Sequence, residues 1–271
     1  MMEPDIILKT SWRARCVHQL RLFFIALQFF TRIQIPRWVG FDERWLQHAS
    51  RYFPAVGIVV ALVTVLVYVL ASLLWTQSLA VLLSTIAGIY LTGAFHEDGF
   101  ADTCDGFGGG MTSERVLEIM KDSRIGAYGA IGIGLMLALK WMALSSLPSP
   151  AVVATLLVAH PVSRLAAISL VWRMDYAKAN GKAKPIGQEM SNQEFCIATA
   201  TTMLPIVLLC LTGLMPLLAV LTGSLFAALA SLWLARMFQH RIGGYTGDCL
   251  GAVQQVAEVA FYLGVLATIA Y

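Results

Sequence analysis

Charge is what this sequence has least of. Only 13% of its 271 residues are Asp, Glu, Lys or Arg, against about 25% in an ordinary soluble domain. A chain so poor in charge cannot cover itself with water-facing side chains. Its mean hydropathy of +0.71 points to lipid as a second solvent. The formal net charge of +3 is too small for a phosphate-backbone binder, so no nucleic-acid partner is expected. The five cysteines are odd in number and never stand as C-x-x-C, which excludes a disulfide framework and a zinc site and leaves them as small apolar fillers. The D-x-[DN]-x-[DN]-G loop of an EF-hand is missing. So are the Ser/His/Asp order and the thiol–His pairing of covalent catalysis. Arg13, Arg15 and Arg21 precede an apolar run over 22–30, but no small-residue cleavage site follows it. That stretch reads as an amphipathic helix at the membrane interface.

What the chain does have is long apolar runs. A spanning helix needs about 20 mostly apolar residues, and runs of that kind occupy 53–75, 79–95, 126–147, 151–172, 196–214, 216–235 and 252–270. The expected fold is therefore all-α. It is a polytopic helical bundle of about seven transmembrane helices plus an N-terminal interfacial helix, forming one membrane-embedded domain over 1–271. Lys and Arg sort by loop. They fall before the first run (Arg32, Arg37, Arg44 and Arg51 among them), after the second (Arg115, Lys121, Arg124), after the fourth (Arg173, Lys178, Lys182, Lys184) and after the sixth (Arg236, Arg241). Alternate joins carry none. By the positive-inside rule the N-terminus is cytoplasmic and the C-terminus faces outward. Apart from Glu258, the acidic residues share the cytoplasmic side, so one face holds nearly all the ionisable chemistry. A transporter would more often put some of it near the bilayer midplane.

The second run leads into GAFHEDGFADTCDGFGGG, an acidic loop over 93–110. Asp98, Asp102 and Asp105 stand at i, i+4 and i+7, a spacing that would put all three on one helix face. Bare carboxylates so placed repel one another, and a cation among them would remove the conflict. Hard oxygen donors suit Mg²⁺. The glycines here, Gly108 and Gly109 among them, allow a ligand close to the backbone. A surface helix over 112–122 should follow, capped by Thr112 or Ser113, and deliver KDSRIGAYG. There Asp122 is a further metal candidate, while Lys121 and Arg124 could hold phosphate oxygens.

Two more sites lie farther along. Arg164 in HPVSR falls inside a span, where an ionisable residue marks function by default. It should face the bundle interior. Lys140 is expected to pair with Glu258. In RIGGYTGDCLGA, Gly247 and Asp248 precede a helix whose first N–H groups could receive an anion; Asp248 could equally be an N-cap. His96 is the candidate general base. Carboxylates for a metal, arginines for phosphates and glycines at helix starts make up the equipment of phosphoryl-type transfer.

FHEDGFADTCDGFGGG, LEIMKDSRIGAYG and TGDCLGA in order closely resemble the cobalamin 5′-phosphate synthase family, also called adenosylcobinamide-GDP ribazoletransferases. FFTRIQIP, YFPAVG, HPVSR and DYAKANG extend the resemblance to nearly the whole chain. It implies an enzyme of the cell inner membrane that joins adenosylcobinamide-GDP to α-ribazole or α-ribazole 5′-phosphate, releases GMP and uses Mg²⁺. Asp98, Asp102 and Asp105 match the family's acidic motif, and Asp122 and Arg124 its second motif. Small-molecule substrates and the lipid bilayer are the implied partners, with a homo-oligomer left open. The CDP-alcohol phosphotransferases are a rival family with an Asp-rich motif, but Asp102 stands where their Arg would be.

Overall fold

The computed structural model describes residues 12–177 and 190–269. These form α1 (Trp12–Phe30), α2 (Glu43–Ala49), α3 (Phe53–Ser72), α4 (Gln77–Thr92), α5 (Phe95–Gly109), α6 (Ser113–Ile119), α7 (Ala127–Ser145), α8 (Ser149–Arg173), α9 (Asn192–Leu211), α10 (Leu217–Ile242) and α11 (Gly247–Ile269). Among the described residues the only β pairing is one isolated bridge between Tyr176 and Tyr245. The fold is an all-α polytopic bundle, as composition required. The expected basic loop over 173–187 lies mostly outside the described residues.

Among the described residues, six segments are long and apolar enough to cross a membrane: Arg44–Ser72, and the helices α7 to α11. A seventh, α4, has 16 residues and passes only together with α5, from which it is bent by 89°. The expected count stands, but three boundaries move. The acidic loop over 93–110 is a helix for most of its length. α10 runs seven residues past the expected 235, to Ile242, and α11 starts at Gly247, so that Asp248 is inside its first turn. Apolar content fades before helical structure does, because the ends of these helices face polar surroundings.

The bend after α4 has a local cause. Gly93 and Ala94 take consecutive left-handed conformations, with φ of 65° and 60°. Glycine does so without a steric penalty, whereas alanine is strained there. The two residues stop α4 and set α5 across its end, outside the line of the span. Other ends gather at the same side. Ser191 and Glu194 form a capping box at the start of α9. Glu194 also binds Arg51 and, at 2.7 Å, His48, tying α2 and the start of α3 to α9.

Inside the bundle the helices are held by a buried polar network centred on Glu258 of α11. Lys140 of α7 lies 2.8 Å away, confirming the expected pair, and His160 of α8 stands at 3.1 Å. The Tyr262 hydroxyl and Gln254 Nε2 donate to the same carboxylate at 2.9 and 2.6 Å. Lys140 also donates to Gln255 Oε1 at 3.0 Å, and Gln255 Nε2 donates to Glu97 Oε1 of α5 at 2.9 Å. Glu258 is 1% exposed, so its charge is stable only in this company. Removing one partner would strand the other charge, at a cost of about 3–5 kcal/mol. Lys140→Met should therefore destabilise the protein by about that much, and adding Glu258→Gln should recover most of the loss. Unfolding of the single and double variants in lipid nanodiscs checks this; equal stabilities would show that the pair does not hold the bundle.

Candidate active site at the end of the bundle

α5 reaches its place by crossing the start of α11 at glycines. A Cβ on Gly99 would come within 2.9 Å of Asp248 Cα, and one on Gly251 within 3.1 Å of the His96 carbonyl oxygen. Side chains at either position would force the helices apart. The contact lays the acidic face of α5 beside Asp248.

Three carboxylates then share one region. Asp98 is exposed, and Asp102 and Asp248 are half-buried. None of the three forms an ion pair with a Lys or Arg among the described residues. Burial first, and then the charges of Asp98, Asp248 and Asp105, push the Asp102 carboxyl up to about 6. This is the signature of acidic groups held together without a counter-charge. Among the described residues, no group of three or more His, Cys, Asp or Glu side chains is disposed to hold a metal ion by itself.

Asp105 has a different occupation from the one its spacing suggested. It is buried, and its two oxygens accept the backbone N–H groups of Gly126 and Gly129 at 2.7 and 2.8 Å. It caps the first turn of α7, where unpaired N–H groups and the helix dipole favour an anion. A side chain at Gly126 or Gly129 would run into this carboxylate, which explains two glycines of RIGAYG that the sequence left without a role.

The other candidates separate. Asp122 accepts three side-chain hydrogen bonds from Arg124, at 2.6, 3.0 and 3.2 Å, and the guanidinium holds its carboxyl down to about 2. The pair sits in the turn before α7, with Arg124 exposed, as is Lys121. Gly108 lies under the Tyr128 ring, and Gly109 is exposed near Ile119. Gly247 is exposed, with open space where a Cβ would be. His96 is buried, with its ring stacked on Phe30 at 5.5 Å. Burial, followed by the charge of Arg164, keeps its imidazole well below the ordinary range and therefore neutral. Arg164 is 3% exposed and faces the interior, as expected, donating from Nη1 to the His160 carbonyl at 3.0 Å. Glu97 and Gln255, which the sequence reading passed over, join this end of the molecule to the buried network. The signal for them was polar residues at helical spacing inside an apolar run: Gln254, Gln255, Glu258 and Tyr262.

A bundle of spanning helices that collects carboxylates, exposed basic groups and an open helix start at one end has the form of a membrane-embedded enzyme acting on a charged substrate. The sequence model of the family described as cobalamin-5-phosphate synthase matches residues 22–266. A protein of Shewanella frigidimarina named adenosylcobinamide-GDP ribazoletransferase is 46% identical over 267 residues, covering 95% of this chain and 98% of the relative. Proteins of the same name from Shewanella piezotolerans and Leptothrix cholodnii are each 44% identical over 259 residues, covering 93% and 94% of this chain and 96% and 98% of theirs. No solved structure matches. The chain belongs to the cobalamin-5-phosphate synthase family.

The strain at Asp102 has a measurable consequence. The folded protein keeps this proton until about pH 6, whereas an unfolded chain releases it near pH 4. Stability is thus lost as the pH rises through that window and stays lost above it. Asp102→Asn removes the loss. With divalent ions chelated, the variant should melt at a higher temperature than the parent at pH 8 and at the same temperature at pH 4. An equal difference at both pH values would mean that its neighbours do not strain Asp102.

Proposed function

We propose that this chain joins adenosylcobinamide-GDP to α-ribazole or its 5′-phosphate, with release of GMP, in an Mg²⁺-dependent reaction on the cytoplasmic face of the inner membrane. The relatives' names supply the substrates. The alternation of basic residues between joins supports the assignment of the α5 end to the cytoplasm. The observation that carries the site is Asp102, half-buried beside Asp98 and Asp248 with no cationic partner among the described residues.

Those three carboxylates suit Mg²⁺ in their chemistry. The ion usually keeps several waters and takes one or two protein carboxylates together with substrate phosphates. A site that the diphosphate itself completes accounts for the lack of a ready-made cage. When bound, the ion would neutralise charge on the diphosphate. Asp98, Asp102 and Asp248 would hold it. Asp105 would act through its cap on α7, fixing the turn that carries Lys121, Asp122 and Arg124. Lys121 and Arg124 bring positive charge from the rim, and the open backbone at Gly247 offers N–H donors at the start of α11. In the reaction a ribose hydroxyl of the ribazole attacks the phosphorus that bears the cobinamide arm. A new phosphoester bond forms, the anhydride bond to GMP breaks, GMP leaves with that electron pair, and the hydroxyl proton passes to a base. His96, neutral and beside this face, is the protein's candidate for that base.

The test is ribazole-dependent GMP release by the purified protein in lipid. Wild type should require added Mg²⁺. Asp102→Asn should lose about 10²-fold or more, the scale of a removed electrostatic stabiliser, while remaining folded. Full turnover by this variant across a range of Mg²⁺ concentrations would refute the carboxylate assignment.

A further inference from the structure

Beside the carboxylates lies a cavity of about 290 Å³, close to the lower end of small-molecule sites. Its walls are aromatic: Phe29, Phe30, Phe53, Phe95, Tyr176 and Tyr245. Several of these rings brace one another, with Phe30 at 4.2 Å from Phe53 and 5.4 Å from Phe95. One turn after another of α8 supplies the far side through Arg164, Ala167, Ile168 and Val171. Gly247 and Gly251, which flank Asp248, form part of the rim, so the cavity opens beside the acidic face.

Its polar side chains are few: His96, Arg164, Gln254 and the hydroxyls of Tyr176 and Tyr245. Gln254 is already engaged, donating to Ser163 and Glu258 and accepting from Gln255. Arg164 donates from Nη1 to the His160 carbonyl, and its Nε is sealed in the protein interior. His96 stacks its ring on Phe30 and adds to the aromatic wall.

We propose that this cavity seats the heterocyclic base of the ribazole acceptor between its aromatic walls. The inference rests on the function proposed above and assigns one substrate group to one site. The chemistry of the two substrates decides among the possible occupants. The corrin ring is far too large. Guanine carries an N1–H and an amino group that need acceptors, and among the described residues no carboxylate lines the cavity. The dimethylbenzimidazole of ribazole is a planar, apolar bicycle with a single acceptor once its other nitrogen is ribosylated. It matches walls that are mostly aromatic. Seated there, the base would leave its ribose at the rim, next to Asp248 and the reacting phosphate.

Ala167→Phe and Val171→Phe each fill the cavity from a different turn of α8. In steady-state assays with purified protein in nanodiscs, either should raise the KM for α-ribazole at least tenfold and leave the KM for adenosylcobinamide-GDP within about twofold. A rise in the KM for adenosylcobinamide-GDP instead would hand the cavity to the guanine and overturn the assignment. Unchanged values for both substrates, in variants that fold, would overturn it too. Equilibrium binding of free 5,6-dimethylbenzimidazole does not depend on turnover. Saturable binding to wild type that Ala167→Phe abolishes, found together with no GMP release, would sink the proposed reaction and leave the cavity assignment standing. GMP release with no binding of the base would do the reverse.

Discussion

The site depends on a close helix crossing. Where α5 passes over the start of α11, Gly99 and Gly251 bring the backbones near enough that a single methyl group would collide with Asp248 or with the His96 carbonyl. That approach gives the acidic face of one helix a fourth neighbour from another. It also lets His96 turn into the bundle, against Phe30, rather than toward water. Electrostatics oppose the arrangement, since the carboxylates raise one another's proton affinity. Packing holds it, through the interlocked helices and through the chain of hydrogen bonds from Glu97 to Gln255 and Lys140.

That chain explains how a charged surface is anchored to an apolar interior. Glu258 collects Lys140, His160, Gln254 and Tyr262 around one carboxylate deep in the bundle. Isolated in hydrocarbon, each of these groups would be costly; together they satisfy one another. The network ends at α5, so the helix that carries the acidic motif is fastened to α7, α8 and α11 by polar bonds that tolerate little displacement.

Much of this was legible in the sequence because the physics was local. Apolar runs of sufficient length gave the spans, and the lone acid inside them, Glu258, paired as expected with Lys140, one of two bases there. Helical spacing of Asp98 and Asp102 foretold a shared face. The same spacing misled at Asp105, because a period cannot reveal that a helix start 21 residues away needs a cap. Asp122 likewise looked like one more ligand, when Arg124, two residues on, already pairs with its charge. Asp248 and the aromatic cavity depend on which helices touch, and periodicity within one element holds no record of that. The family motifs suggested the proposed substrates, which no residue pattern here could have done alone.

α4 has one further consequence. At 1.5 Å per residue its 16 residues span about 24 Å, short of a hydrocarbon layer of about 30 Å. A bilayer meets so short a span by thinning around it. The left-handed turn at Gly93 and Ala94 then lies below the level of the lipid headgroups elsewhere. Such thinning would set the carboxylates of α5 nearer the middle of the bilayer than the helix ends elsewhere in the bundle.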